Sequence, residues 1–360
     1  MNMYHDSRNP DYRMPQGAAP CGRRLRLCVR AEGMHRVCLR LWWQNSESLL
    51  PMKPAHSNLY ECELKLPSRP GLLWYYFIAE GTDGRTWYLG NAADGLGGVG
   101  MLSESEPAGY QVTVYNPKYD TPAWMRNGMM LQIMVDRYHC AGARDVNNLP
   151  PASYYHIRWD DDPALIINDD KYGDNCNNDY FGGNLRGIRE KLDYIQGLGV
   201  TVLYFNPIFK ARSNHKYNTG DYMAIDPSFG TEADFRALCE EAGKRGIRVI
   251  LDGVFSHTGS DSVYFNRDGN YGPGGAYNDP KSPYREWYRF RQWPDDYECW
   301  WNFKTLPNVH EETESYQNFI IEDDDSVISH WLRAGASGWR LDVADELPME
   351  FIRKIRRRMR

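Results

Sequence analysis

Near the end of the chain the run Gly338-Trp339-Arg340-Leu341-Asp342-Val343-Ala344-Asp345-Glu346 sets an arginine two residues before an aspartate. On a strand, residues two apart project to the same face. Arg340 would then pair with the Asp342 carboxylate and orient it. An oriented carboxylate at a strand end is what a covalent glycosidase mechanism uses as its nucleophile. That mechanism needs a second carboxyl group as acid and base. Two further runs carry polar groups suited to one pocket. Asp252-Gly-Val-Phe-Ser-His257 sets an acid and an imidazole five apart, and His257 could donate to a sugar hydroxyl. Asn214-His-Lys-Tyr-Asn-Thr-Gly-Asp-Tyr222 offers Tyr217 as a stacking ring and His215 as a hydrogen-bond donor. Taken singly, each also reads as ordinary loop packing.

The elements that must position these residues change character along the chain. Residues 1–20 read as a polar, extended lead-in. From 21 to 115 the hydrophobic period is two, as in Leu25-Arg-Leu-Cys-Val-Arg30 and Tyr110-Gln-Val-Thr-Val-Tyr115. Short strands separated by Gly, Pro and Asn turns predict an antiparallel β-sandwich. Residues 116–123, with two prolines, read as a linker. Beyond Trp124 strand and helix alternate. Strands are expected at 130–135, 200–206, 247–252 and 338–342, and helices at 185–198, 232–245, 316–334 and 348–360. Thr231 is expected to cap the second helix and Gly246 to close it. Four strand–helix units in sequence predict a parallel α/β core, most simply the first half of a (β/α)8 barrel: units one to three over 124–256 and the third helix, fourth strand and fourth helix over 315–360. The stretch 257–314, rich in Gly, Pro, Tyr and Trp, reads as a loop-rich insertion. Asp252 and Asp342 fall at strand C-terminal ends, where such barrels carry their chemistry.

Composition narrows the function classes. The chain has 360 residues and a net charge of −6, which suggests neither a nucleic-acid nor a membrane-surface partner. No stretch approaches the roughly 20 apolar residues of a membrane span. The N-terminus has no apolar signal core, and eight cysteines without a CxxC pair read as reduced thiols, so a cytoplasmic location is expected. Aromatic residues make up 14% of the chain, which suits stacking on sugar rings as well as ordinary core filling.

Taken together, in this order and spacing, the segments resemble the α-amylase superfamily, glycoside hydrolase family 13, in its cyclomaltodextrinase, neopullulanase and amylopullulanase branch. Asp252-Gly-Val-Phe-Ser-His257 resembles the family's first conserved region. Gly338 to Glu346 resembles the second, which carries the nucleophile. Leu306-Pro-Asn-Val309 is similar to the short signature of the inserted domain, and Asn206-Pro-Ile-Phe209, Asn214-His-Lys-Tyr217 and Asp179-Tyr-Phe-Gly-Gly-Asn-Leu185 also match the branch. The sandwich is similar to the starch-binding-type domain that precedes the barrel. The resemblance implies Asp342 as nucleophile and Arg340 as its positioning cation. It implies His257, Asp252, Tyr217 and His215 around the reacting sugar, and Glu346 at an acceptor subsite. It further implies calcium, for which Asp145, Asn147, Asn148, the Gly182 carbonyl and Asn184 are the candidate ligands; Asn184 stands where members commonly carry Asp. A homodimer is also consistent with the branch.

The implied activity is retaining hydrolysis of α-1,4, and in some members α-1,6, bonds in cyclodextrin, pullulan or starch-type α-glucans. A glucanotransferase of the same fold and a non-catalytic glucan-binding protein are the alternatives. The family's acid/base glutamate follows a fifth strand, which the sequence does not reach. The chain is therefore expected to be an N-terminal portion of a longer enzyme, inactive alone on ordinary glucans.

Overall fold

Alternation of buried and exposed residues is clearest in Tyr110–Tyr115, where every second side chain is buried. The computed structural model describes residues 2–142, 146–150, 153–163 and 177–360. Its contacts divide the chain into two units, 1–121 and 122–360.

The first unit holds two sheets. One joins the strands Asn2–Tyr4, Arg24–Glu32, Leu59–Lys65 and Lys53–Pro54, with Arg13–Met14 also paired to Arg24–Glu32. The other centres on Gly71–Gly81, flanked by Met34–Trp43, Thr86–Gly90 and Tyr110–Tyr115. Leu25, Leu27 and Val29 from the first sheet and Leu39, Tyr75, Phe77 and Val112 from the second share one apolar core. The lead-in is not extended throughout: turns occupy 7–12, closed by Asn9 N–H on Asp6 O and Tyr12 N–H on Asn9 O, while Asn2–Tyr4 lies antiparallel to Arg30–Glu32 and Ala19–Pro20 runs parallel to Val114–Tyr115.

The second unit is built on four parallel strands, β1 (Met130–Ile133), β2 (Val202–Phe205), β3 (Arg248–Gly253) and β4 (Gly338–Leu341), paired in that order. All four residues of β2 are buried, the pattern of a strand covered on both faces, whereas Met130 and Gln132 of β1 are exposed. Leu203, Phe205, Val249 and Leu251 enter the main core, together with the helical residues Leu185, Ile195, Phe235 and Leu238. Val202, Tyr204 and Ile250 form a separate apolar cluster with Trp124. Period two thus assigns Tyr204, Ile250 and Asp252 to one side, and register sets Asp252 beside Arg340.

Helices depart from the sequence expectation in their continuity. The expected helix 185–198 is two short ones, α1 (Leu185–Glu190) and α2 (Leu192–Gly197), broken at Lys191. Helix α3 (Glu232–Lys244) starts with a capping box between Thr231 and Asp234. The expected helix 316–334 is interrupted: α4 (Glu314–Gln317) runs into a π-turn over 318–322, and α5 (Val327–Arg333) restarts on the cap Ser326. Helix α6 (Met349–Arg358) follows β4. The 257–314 stretch has few regular elements; Phe265, Tyr288 and Tyr297 pack into the main core. Among the described residues no helix is long and apolar enough to cross a membrane.

Candidate active site

Asp252 is the best-connected side chain at the C-terminal end of the sheet. It is 1% exposed, yet both oxygens are occupied. One accepts from the Tyr204 hydroxyl and from the Tyr217 hydroxyl at 2.9 Å; the other accepts from Arg340 Nη1 at 3.0 Å. Burial pushes its carboxyl up, and the hydrogen bonds from Tyr204, Arg340 and Tyr217 oppose that. Arg340 Nη1 also donates to Asp342 Oδ1 at 2.6 Å. Burial works against the Arg340 cation, but its two carboxylate partners outweigh that and raise its pKa. One guanidinium therefore ties strand β3 to the residue that follows β4.

Asp342 continues the β3–β4 ladder through its backbone N–H, which donates to the Gly253 carbonyl at 3.1 Å. The next residue, Val343, has φ +41°, a left-handed conformation that costs a β-branched residue energy. The chain turns there, and the Glu346 N–H closes the turn on the Val343 carbonyl at 2.8 Å.

A cavity of about 440 Å³ opens beside Asp342, and His257, Tyr217 and His215 also line it. His257 is 2% exposed. Its Nδ1 lies 3.0 Å from Ser256 Oγ, and its Nε2 is buried. Burial lowers its pKa to about 4, so the ring is neutral at physiological pH. The Leu306–Val309 segment holds it in place. Val309 N–H donates to Ser256 O at 2.9 Å, and Thr258 N–H donates to Pro307 O at 3.2 Å. His215 is likewise lowered to about 4, chiefly by burial. Its Nδ1 accepts the Tyr217 N–H at 3.1 Å, and its Nε2 lies 3.4 Å from the Asn177 side-chain amide. Between them Lys216, fully buried and left-handed at φ +62°, pairs with Asp226 at 2.8 Å and anchors the loop.

The structure thus brings four expected residues, Asp342, His257, Tyr217 and His215, to one cavity. It sets Asp252 and Arg340 in the layer hydrogen-bonded to that lining. Glu346 is joined to the cavity through Trp300, whose indole N–H donates to its carboxylate at 3.1 Å. Sequence reasoning missed Trp300, Phe303, Asp261 and Arg212, which also line the cavity. The two aromatics lie just ahead of Leu306-Pro-Asn-Val309, and that proximity could have flagged them. Nothing in the local sequence marks Asp261 or Arg212.

Of the candidate calcium ligands, Asn184 is engaged in the fold. Asn184 Oδ1 already accepts the N–H groups of Gly187 (2.8 Å) and Ala141 (3.2 Å). The neighbouring cavity that Asn148, Gly182 and Asn184 line is also lined by Arg186 and by the carboxylates Glu232 and Asp234. Calcium sites are built from oxygen ligands, commonly with carboxylates. Asp145 lies outside the described residues. Asn147 and Asn148 lie on a short 3-10 turn, 146–148. Among the described residues no group of three or more His, Cys, Asp or Glu side chains is placed to share a metal.

The family description "alpha amylase, catalytic domain" matches residues 160–357, more than half the chain. The chain belongs to this α-amylase family, glycoside hydrolase family 13. Amylopullulanase of Thermoanaerobacterium saccharolyticum is 38% identical over 387 aligned residues, covering 97% of this chain and 30% of that protein. Neopullulanase 2 of Thermoactinomyces vulgaris is 32% identical, covering 79% of this chain and 44% of that protein. A solved cyclomaltodextrinase superposes with a TM-score of 0.58 at 25% identity, covering 99% of this chain and 58% of that one. The chain thus spans less than two thirds of the length of each.

Proposed function

We propose that the chain carries the nucleophile half of a retaining α-glucan hydrolase site. The single observation that carries this is the Asp252–Arg340–Asp342 relay, which aims one carboxylate into a cavity that the neutral His257 and the Tyr217 ring also line. Asp342 Oδ would attack the anomeric carbon of the bound sugar, forming a glycosyl ester as the bond to the leaving oxygen breaks. Water would then release the sugar. His257 and His215 would donate to sugar hydroxyls, and Tyr217 would stack on the ring face. The four-stranded sheet is read as the first half of a (β/α)8 barrel, with the Tyr204 side facing the barrel interior. The first unit is read as a β-sandwich of the carbohydrate-binding type. Pullulan, cyclodextrin and maltose-type glucans are the proposed substrate class, in keeping with the names of the relatives.

No residue of the cavity is assigned the acid/base role, so the test uses a donor that needs no proton on its leaving group. Incubation with a 2-deoxy-2-fluoro-α-maltosyl fluoride should add one glycosyl unit by intact-mass spectrometry, and peptide mapping should place it on Asp342. Asp342→Ala should add nothing. Labelling at another carboxylate, or equal labelling of the variant, would remove Asp342 from the role.

A further inference from the structure

Glu346 does more at the cavity than its place in the Gly338–Glu346 run suggests. Its carboxylate accepts two indole N–H groups at once, Trp300 Nε1 at 3.1 Å and Trp301 Nε1 at 3.4 Å. The two rings stack, with centroids 5.3 Å apart and planes 28° off parallel. Trp300 lines the cavity and lies 5.5 Å from the His257 ring, centroid to centroid. Phe303 also lines the cavity and packs near-parallel to Trp300. Trp301 is 74% exposed, although exposing a tryptophan forfeits apolar burial. It and Asn302 both hold left-handed backbone, with φ +47° and +65°. Asparagine enters that region readily, but a tryptophan does not, and such conformations persist where surrounding contacts impose them. A file of ring contacts thus runs from His257 through Trp300 to an exposed Trp301, and one carboxylate fixes the two indoles at its outer end.

We infer that Glu346 is a positioning residue that holds Trp300 and Trp301 as a stacking platform for the part of an α-glucan chain lying outside the cavity. This rests on the α-glucan reading of the Asp342 cavity and adds to it a selection for long chains. With its N–H spent on Glu346, Trp301 keeps a large apolar surface in water, suited to the C–H face of a sugar ring. A short sugar is held by the cavity alone, whereas a longer one reaches the platform.

The 360-residue chain is titrated with maltose and with maltoheptaose, following tryptophan fluorescence. The exciton couplet of the stacked indoles is followed separately by circular dichroism without sugar. In Glu346→Ala and in Trp301→Ala the maltoheptaose affinity should fall about tenfold, the equivalent of one charge-assisted contact or one lost stacking surface, and it should fall by more than the maltose affinity. The couplet should disappear in both. Glu346→Gln, which keeps one acceptor oxygen, should retain much of the couplet and of the long-chain affinity. A couplet that survives in Glu346→Ala overturns the clamp. A couplet that is lost while maltoheptaose affinity stays at the wild-type value overturns the platform. If wild type binds neither sugar, the α-glucan reading falls, while the couplet still reports whether Glu346 orders the two rings.

Discussion

The Tyr204 hydroxyl and the Arg340 guanidinium compensate the same buried carboxylate, so losing either one leaves Asp252 short of a partner. Tyr204 also belongs to the small apolar cluster with Val202 and Ile250, and a phenylalanine there keeps the ring packing. Tyr204→Phe should therefore cost only the hydrogen bond to a charged acceptor, about 1–3 kcal/mol in urea unfolding. Arg340→Met removes the cation that faces both Asp252 and Asp342. Breaking a buried pair from one side costs about 3–5 kcal/mol, and the partly exposed guanidinium argues for the lower end. Adding Asp252→Asn to Arg340→Met should recover part of that loss, since it removes the uncompensated charge. A double variant no more stable than Arg340→Met would show that Asp252 is held by its tyrosines alone.

At the scale of elements, what was legible in the sequence was local chemistry. The Thr231 cap and the left-handed Gly246 at the end of α3 depend on residues within a turn of the helix ends, and they stand where the pattern placed them; the reciprocal bond from Asp234 was not foreseen. The four parallel strands were legible from short apolar runs, and the strand-end positions of Asp252 and Asp342 followed. Breaks inside helices were not. Lys191 carries no breaker signal, and the apolar spacing from Leu185 to Leu198 reads through it. The break over 323–326 did have a signal, an acidic triplet before the capping Ser326, hidden by apolar period on either side. The Glu346 clamp was out of reach because it joins residues 46 and 45 positions apart. Asn184 is the instructive case, since the family pattern suggested a metal ligand and the fold uses it as the N-cap of α1. Asn184→Ala should lower stability by about 1–2 kcal/mol through loss of the cap to Gly187 and the tie to Ala141. EDTA should leave the melting temperature of the wild type unchanged. A fall in melting temperature on chelation, reversed by calcium, would give Asn184 and its neighbours back to a metal.

At the scale of the whole molecule, two apolar cores with no residue in common lie on either side of the 121/122 division. Leu39 is fully buried in the first core, and Leu203 is fully buried in the second. Cooperative unfolding is a property of one shared core, so two cores are expected to melt as two calorimetric transitions. Leucine-to-alanine substitution at a fully buried site costs about 2–5 kcal/mol, because the cavity it leaves collapses only in part. Leu39→Ala should therefore move one transition to lower temperature and leave the other in place, and Leu203→Ala should do the reverse. The relay from Asp252 through Arg340 to Asp342 lies wholly within the second unit. The near-ultraviolet circular dichroism signal of Trp300, which lines the cavity, should therefore follow only the transition that Leu203→Ala shifts. A single transition that moves with both substitutions would mean that the two cores unfold as one, and that the site draws its stability from all 360 residues.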